Sequence, residues 1–237
     1  MAIARDALIL AGGLGSRLRA VVSDRPKPMA DVGGRPFITF LLDQLMRSGF
    51  QRAVLCIGHL GEQVPLVLGN HYGALELLYS FEQAPLGTAG ALRHAAGLTS
   101  QPSVVAMNGD SFCDLDLRML ERIHQARGAR ATLSVLQQND RSRAGTVHVD
   151  SAGRVIRFES RPSEPGPGLI NAGIYLFQRD VLDAIAPNCQ VSLEEETLPG
   201  LVARHELFAW QVEARFIDIG TPASYGAARV FFAGATE

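Results

Sequence analysis

Through the first 110 residues, short apolar runs alternate with segments of helical periodicity, and this alternation limits the possible folds more than any other feature. The apolar runs predict strands at 7–11, 53–57, 75–81 and 104–107, and helices are predicted between them at 36–48, 62–68 and 87–96. Strands joined by helices usually lie parallel in one sheet, because each connection must cross the sheet before the next strand. The first half therefore predicts parallel strands with helices on both faces of the sheet.

The second half is richer in predicted strands than the first. Short hydrophobic runs predict strands at 131–136, 146–149, 155–158 and 172–177. We therefore expect an α/β fold in which residues 1–237 form a single domain: a Rossmann-like, mixed, mostly parallel sheet with helices on both faces. The turn-rich stretch 160–168 is too short for an interdomain linker and is predicted to be an active-site loop.

Composition excludes several functional classes. Lys and Arg number 22 against 24 Asp and Glu, and the net charge of −2 provides no basic field for nucleic acid. The apolar run near the N-terminus stops at Gly12 and Gly13, which is too short for a signal peptide or a membrane span. Cys56, Cys113 and Cys189 are too far apart for a metal-binding pair, and we expect them to be core thiols. These features predict a cytoplasmic protein without nucleic-acid or membrane partners; a homo-oligomer is left open.

A glycine-rich loop, Ala11 to Leu18, directly follows the first predicted strand. Its glycines let backbone N–H groups approach phosphate oxygens, and a helix predicted to start within 15–21 would add partial positive charge. The loop is not a P-loop, and Leu18 occupies the last glycine position of GxGxxG. A plain glycine turn is the alternative, but Arg17 favours a site for a triphosphate or a departing pyrophosphate.

One lysine, Lys27, stands between two prolines. Pro26 and Pro28 restrict the backbone on both sides and would hold the ammonium group at a fixed place. A fixed positive charge can stabilise the charge that develops on a phosphorus centre. The alternative is an ordinary solvated lysine.

Two aspartates are candidate metal ligands. Asp110 follows a buried strand, at the end where open α/β sheets bind ligands, although it could instead cap a helix. Asp218 stands between Ile217 and Ile219, and a charge in that setting needs a partner. A metal shared with Asp110 would supply one, and two carboxylates plus phosphate oxygens usually hold Mg²⁺.

Six motifs together resemble the sugar-1-phosphate nucleotidylyltransferase family. AGGLGSRL, PKPM, LGTAG at 86–90, NGD, NAG at 171–173 and DIGTP occur in that family's order and spacing over nearly the whole chain. Without room for the C-terminal β-helix of longer members, the chain is most similar to the bacterial D-glycero-D-manno-heptose 1-phosphate guanylyltransferases. The resemblance implies a nucleotide-diphospho-sugar transferase fold with a nucleotide-binding half at 1–110 and a sugar-phosphate-binding half at 111–237.

The resemblance also implies roles for individual residues. The nucleotide-binding positions are Leu10, Ala11, Gly12, Gly13, Gly15, Glu82, Gly87 and Thr88. The catalytic positions are Arg17, Lys27, Asp110 and Asp218, with the two aspartates as Mg²⁺ ligands. The sugar is assigned to Gly145, Glu159 and Asn171. Where the family has a lysine directly after the glutamate, this chain has Ser160, and Arg161 is the candidate substitute for binding the sugar phosphate.

The implied reaction is in-line attack of a sugar 1-phosphate on the α-phosphorus of a nucleoside triphosphate. No general base is needed, because the nucleophile is already an anion at neutral pH. GTP is favoured, since the carboxylate of Glu82 can accept from two adjacent donors on guanine; the alternative is that backbone groups read the base. Heptose 1-phosphate is favoured as acceptor, with mannose 1-phosphate, or uridylyl or thymidylyl transfer, as alternatives.

Two alternatives come from other functional classes. A non-catalytic subunit of the same fold would be expected to lose Arg17, Lys27 or an aspartate, and this chain retains them all. A dinucleotide oxidoreductase is disfavoured by the incomplete GxGxxG. In the acidic run 194–196, Ser192 with Glu195 three residues later predicts a helix capping box, which is favoured over a metal site. The six histidines show no ligand-like spacing.

Overall fold

Fourteen strands and seven α-helices make up the part of the chain that the computed structural model describes, residues 6–13, 15, 17–142, 144–160 and 165–234. The strands are β1 (Asp6–Leu10), β2 (Asp31–Val32), β3 (Arg35–Pro36), β4 (Arg52–Ile57), β5 (His71–Tyr72), β6 (Leu75–Phe81), β7 (Ser103–Asn108), β8 (Ser111–Cys113), β9 (Ala131–Gln138), β10 (Thr146–Val149), β11 (Val155–Glu159), β12 (Gly168–Gln178), β13 (Leu207–Gln211) and β14 (Phe216–Asp218). The helices are α1 (Ile38–Arg47), α2 (Gln63–Leu68), α3 (Gly87–Ala96), α4 (Leu117–Ala126), α5 (Arg179–Asp183), α6 (Leu198–Ala203) and α7 (Pro222–Ala233).

Ten of these described strands form one mixed sheet. Its centre is parallel, in the order β7, β1, β4, β6, because helices connect these strands across the sheet. Strand β12 lies antiparallel beside β7 and leads to an antiparallel extension that contains β9, β10 and β11. The predicted fold class, a mixed sheet with a parallel centre, is confirmed.

Helices cover both faces of the sheet, as alternation along β1 requires. Ala7 and Ile9 belong to one buried cluster with residues of α1, α2, α4 and α7, whereas Leu8 belongs to the cluster with α3, α5 and α6. Successive side chains of a strand point to opposite faces, so a strand covered on both faces is apolar throughout. No helix within the described ranges has both the length and the apolar character needed to cross a bilayer.

The core cluster around α1 provides a test of the fold. Leu41 is fully buried on α1, and Leu41→Ala should reduce the free energy of unfolding by about 2 to 5 kcal/mol, because it leaves a cavity. Leu66 on α2 is 84% exposed and is the matched control, with an expected change below about 0.5 kcal/mol. Urea denaturation of both variants measures the difference; equal losses would contradict this packing.

Two sequence predictions were wrong. Residues 17–21 form turns instead of the predicted helix: of these residues only Leu18 is buried, so the segment has no apolar face whose packing would sustain a helix. Cys56 and Cys113 are buried as expected, but Cys189 is exposed. Burial raises the pKa of the Cys113 thiol to about 12.

Candidate active site

The carboxyl ends of the four central parallel strands meet at one edge of the sheet, where two cavities open side by side. We call the first the glycine-loop cavity, of about 290 Å³, and the second the β12 cavity, of about 460 Å³. Both are lined by Arg17, Lys27, Asn108, Asp110, Glu194 and Gly220. They therefore form one continuous cleft, in the position where open α/β sheets bind ligands.

Lys27 and Asp110 form an ion pair in the centre of this cleft. Lys27 begins a short 3-10 turn between Pro26 and buried Pro28, and its side chain is only 10% exposed. Its Nζ donates to Asp110 Oδ2 at 2.5 Å across 83 residues of sequence. An ordinary solvated lysine is excluded, because the Lys27 side chain is largely buried and paired with Asp110. A helix cap at Asp110 is excluded, because β8 follows this residue and no helix begins there.

Strand pairing places Asp218 beside Asp110. In the β8–β14 ladder, Asp218 lies opposite Ser111, and the Ile219 N–H donates to the Asp110 carbonyl oxygen at 2.9 Å. Asp218 Oδ1 accepts hydrogen bonds from the Gly220 N–H at 2.6 Å and from Ser224 Oγ at 3.2 Å. The charge of Asp218 was expected to need a partner, and these local donors supply it.

The two aspartates have the chemistry of a Mg²⁺ site that depends on substrate oxygens. Each has one oxygen engaged, Asp110 Oδ2 by Lys27 and Asp218 Oδ1 by donors on its own side, and the second oxygen has no hydrogen bond to a described residue. Among the described residues, no group of three or more His, Cys, Asp or Glu could hold a metal. Mg²⁺ commonly uses one or two carboxylates together with phosphates and water, so the residues fit this ion.

The glycine-rich loop forms one wall of the glycine-loop cavity. Its described lining residues include Leu10, Ala11, Gly13, Gly15 and Arg17. Gly15 has a φ of +59°, and a Cβ built there would lie 3.3 Å from Lys27 Cβ, so the loop packs closely on the lysine. Because residues 17–21 form turns, the loop contributes backbone N–H groups and Arg17 without the predicted helix N-terminus.

Gly12, Glu82 and Gly87 lie behind this wall and do not line either cavity. Glu82 Oε2 accepts from the Leu86 N–H at 2.9 Å, and a Cβ at Gly12 would lie 3.3 Å from Glu82 Oε1. Burial raises the pKa of the Glu82 carboxyl, and the Leu86 N–H partly offsets this rise. Gly87 has a φ of +69° and packs against the backbone of Val191.

The β12 cavity contains two of the predicted sugar-binding residues. Gly145 and Asn171 line it, and the Asn171 N–H donates to the Gly145 carbonyl at 2.8 Å. Glu159 does not line the cavity; its Oε1 lies 3.0 Å from both His148 Nε2 and Arg157 Nε. Ser160, the first residue of the predicted active-site loop, lines it, and Arg161 lies outside the described residues.

A buried tyrosine that we did not single out from the sequence connects the two asparagines of the cleft. Tyr175 is fully buried, and its hydroxyl accepts from Asn171 Nδ2 at 2.6 Å and also bonds the side chain of Asn108. Burial, and next the charge of Glu194, raises the pKa of Tyr175, so the hydroxyl stays neutral. The register of β12 against β9 shifts between Asn171 and Tyr175, and Asn171 lines the cavity.

Several polar residues of the cleft were given no individual role there from the sequence. They are Ser111, Gln138, Asp140 and Thr221 in the β12 cavity, together with Asn108 and Glu194 in both cavities. Asn108 and Gln138 end strands, which is a signal that could have identified them. Thr88 was predicted and lines the glycine-loop cavity, but its Oγ1 is engaged: it donates to Glu194 Oε2 at 2.8 Å and accepts from the Leu193 N–H at 2.7 Å.

Comparison with known proteins finds similarity over nearly the whole chain. The sequence profile of the family described as nucleotidyl transferase matches residues 6–233. The D-glycero-alpha-D-manno-heptose 1-phosphate guanylyltransferase of Campylobacter jejuni is 36% identical, over 93% of this chain and 96% of that enzyme. The enzyme of the same name from Aneurinibacillus thermoaerophilus is 34% identical, over 93% of this chain and 95% of its own.

Solved structures show the same extent of similarity. A crystal structure of HddC from Yersinia pseudotuberculosis has a TM-score of 0.85 and 30% identity, covering 96% of this chain and 99% of HddC. HddC complexed with GMP-PN has a TM-score of 0.82 over the same shares of both chains. The similarity therefore extends through both cavities and is not confined to one motif.

Proposed function

Because this chain belongs to the nucleotidyl transferase family, we propose that it transfers a guanylyl group from GTP to a heptose 1-phosphate and releases pyrophosphate. The observation that carries this proposal is the cleft itself. Lys27, Asp110, Asp218 and Arg17 lie together there, beside a glycine-rich loop and a second polar cavity. A non-catalytic subunit would have no need to retain the partly buried Lys27–Asp110 pair.

We assign each substrate to one cavity. The glycine-loop cavity takes most of its lining from residues 1–110 and suits the triphosphate, whereas the β12 cavity takes most of its lining from 111–237 and suits the sugar phosphate. Asn171 and Gly145 line the β12 cavity. Glu159 is the last residue of β11, which is at the end of the strand order of the sheet. Arg161 remains our candidate for the sugar phosphate.

Catalysis in this proposal comes from positioning and charge. Lys27 Nζ meets the α-phosphate as negative charge develops on it, while Arg17 contacts the phosphates that leave as pyrophosphate. Asp110 and Asp218 would hold Mg²⁺, which when bound polarises the α-phosphate and orients the triphosphate. Backbone N–H groups of the glycine-rich loop hold the remaining phosphate oxygens.

The acceptor sugar follows from the relatives. Both enzymes compared above are named for heptose 1-phosphate, and their lengths match this chain. Mannose 1-phosphate is the alternative acceptor, because its ring has the same manno configuration as the heptose. The free cysteines Cys56, Cys113 and Cys189 suit a reducing compartment, so we place the reaction in the cytoplasm.

A pyrophosphate-release assay tests the proposed reaction directly. GTP, ATP, CTP, UTP and dTTP are each paired with D-glycero-α-D-manno-heptose 1-phosphate, mannose 1-phosphate and glucose 1-phosphate, with Mg²⁺ or with EDTA. We expect the highest kcat/KM for GTP with the heptose, and no turnover in EDTA. Release of pyrophosphate from no pair in the matrix would refute the proposal.

The base preference is proposed to depend on Glu82. GTP is favoured because the Glu82 carboxylate can accept from guanine N1–H and N2–H₂, while an amide would mismatch one of these donors. In the structure Glu82 already accepts from the Leu86 N–H and lies behind the cavity wall. Guanine therefore requires the 82–86 loop to open toward it, or else Glu82 acts by shaping that loop and backbone groups read the base.

Replacing this carboxylate separates the two possibilities. Glu82→Gln should cost about 1 to 3 kcal/mol in kcat/KM for GTP and narrow the gap to UTP if Glu82 contacts guanine. Glu76→Gln is the matched control. Glu76 lies near the start of β6, the strand that Glu82 directly follows, and forms an ion pair with Arg52. Unchanged selectivity in Glu82→Gln, or a wild type that prefers a pyrimidine triphosphate, would refute the proposal that Glu82 reads guanine.

A further inference from the structure

The three consecutive glutamates of the acidic run have three different environments. The Glu195 N–H donates to Ser192 Oγ at 3.1 Å, and Glu196 Oε1 accepts from the Ser192 N–H at 2.8 Å. The predicted pairing of Ser192 with Glu195 is therefore present only in its first half: Glu196 makes the reciprocal bond in place of Glu195, because residues 193–197 form a π-turn, one residue wider than an α-turn. Glu194 takes no part in the cap and lies in the cleft.

Glu194 is held in place by Thr88 of helix α3. Its Oε2 accepts from Thr88 Oγ1 at 2.8 Å, and Thr88 Oγ1 in turn accepts from the Leu193 N–H at 2.7 Å. The carboxylate lines both cavities, and its charge reaches the Tyr175 hydroxyl, to which Asn171 is bonded. Glu194 is therefore oriented at the boundary between the two proposed substrate sites.

A carboxylate is costly in a cleft that binds two phosphorylated substrates, unless it meets a donor. A metal shared with both aspartates does not account for it, because no group of three such ligands converges among the described residues. Ring hydroxyl groups of a bound sugar are donors that such a ligand would bring to the β12 cavity, which Glu194 lines. Ser111 lines the same cavity, and its Oγ is buried without a hydrogen-bond partner among those described residues.

We propose that Glu194 is a specificity-determining residue whose carboxylate accepts hydrogen bonds from ring hydroxyl groups of the acceptor sugar. This inference rests on the proposed function and deepens it. The sugar is favoured over the ribose of the nucleotide because Glu194 shares the β12 cavity with Asn171, Ser111 and Gly145.

The experiment compares Glu194→Gln with the wild type and with Glu195→Gln, an exposed neighbour on the same turn. The glutamine can still accept from Thr88, so the turn should keep its structure while one acceptor facing the sugar becomes a donor. We expect KM for the sugar 1-phosphate to rise at least about tenfold, with KM for GTP within about twofold. Glu195→Gln should match the wild type in both values.

Deoxy sugars identify the contact itself. Mannose 1-phosphates that lack the 2-, 3-, 4- or 6-hydroxyl are assayed with each protein, at a fixed GTP concentration. For at least one hydroxyl, its removal should raise the wild-type KM for the sugar 1-phosphate roughly tenfold. The same removal should leave the KM of Glu194→Gln unchanged, because the interaction is already absent in that variant.

Three results would overturn the inference: a rise in KM for GTP alone, which assigns the carboxylate to the ribose; equal damage to both KM values, which makes Glu194 a structural anchor for Thr88; or full additivity with every deoxy sugar. Failure of the proposed function is a separate result. It appears as an inactive wild type in the pyrophosphate-release matrix, before any variant is compared.

Discussion

Asp110→Asn and Asp218→Asn are each expected to lower turnover at least about a hundredfold, because each removes one anionic ligand from the proposed Mg²⁺ site. Both variants should still fold. The asparagine oxygen can keep the bonds from Gly220 and Ser224 that Asp218 Oδ1 accepts, and Asp110 is 41% exposed to the cleft. Turnover and the Mg²⁺ concentration at half-maximal rate are measured together, and both should change.

Asp114→Asn is the matched control for the aspartate variants. Asp114 is half-exposed, lies only four residues after Asp110, and faces Arg47 at 3.9 Å on the surface. We expect its turnover and its Mg²⁺ dependence to equal those of the wild type. Near-normal Mg²⁺-dependent turnover in either Asp110→Asn or Asp218→Asn would refute the assignment of that residue as a ligand.

Lys27→Ala is expected to lower kcat by about a hundredfold to a thousandfold and to change KM much less, because a charge that meets the α-phosphate matters most in the transition state. Lys27→Arg should rescue little of this loss. The planar guanidinium cannot replace the compact ammonium at the same point, and the loop packs closely on the base of this side chain, since a Cβ built at Gly15 would lie 3.3 Å from Lys27 Cβ. Initial rates over a grid of both substrate concentrations separate kcat from the two KM values.

Two arginine variants are compared with Lys27→Ala, one as a control and one at the proposed triphosphate site. Arg25→Ala, two residues away in an exposed pair with Asp24, should leave every constant unchanged. Arg17→Ala should raise KM for the triphosphate as well as lower kcat, because the proposed contact exists before and during the reaction. If Lys27→Ala changes KM alone, the lysine binds the ground state and its proposed catalytic role is wrong.

Periodicity alone was enough to locate the parallel centre of the fold. Strand β6 and helix α3 begin and end at the predicted residues, Leu75–Phe81 and Gly87–Ala96, because both have an apolar pattern bounded by turn-forming residues. Six strands, namely β2, β3, β5, β8, β13 and β14, and helices α4 to α7 were not predicted. Two of these helices had cap signals: Asp116 accepts from the Arg118 N–H, and Thr221 forms a capping box with Ser224 before Pro222.

The order of the motifs along the chain identified the family. Each motif is defined by a few neighbouring residue types, which can be read directly from the sequence. Glycines permit close backbone approach, prolines hold Lys27, and an aspartate at a strand end faces the ligand edge of the sheet. The residues so predicted that line the cleft include Gly15, Arg17, Asp110 and Asn171.

Only the tertiary structure decided which of these groups touch. Lys27 and Asp110 pair across 83 residues, and β8 pairing with β14 brings Asp218 beside Asp110. The direction of a side chain was equally inaccessible from sequence: of three consecutive glutamates, the π-turn turns only Glu194 into the cleft. Residue type and spacing determine local conformation, whereas these long-range contacts depend on the register of the sheet and the packing of helices on it, which no local pattern contains.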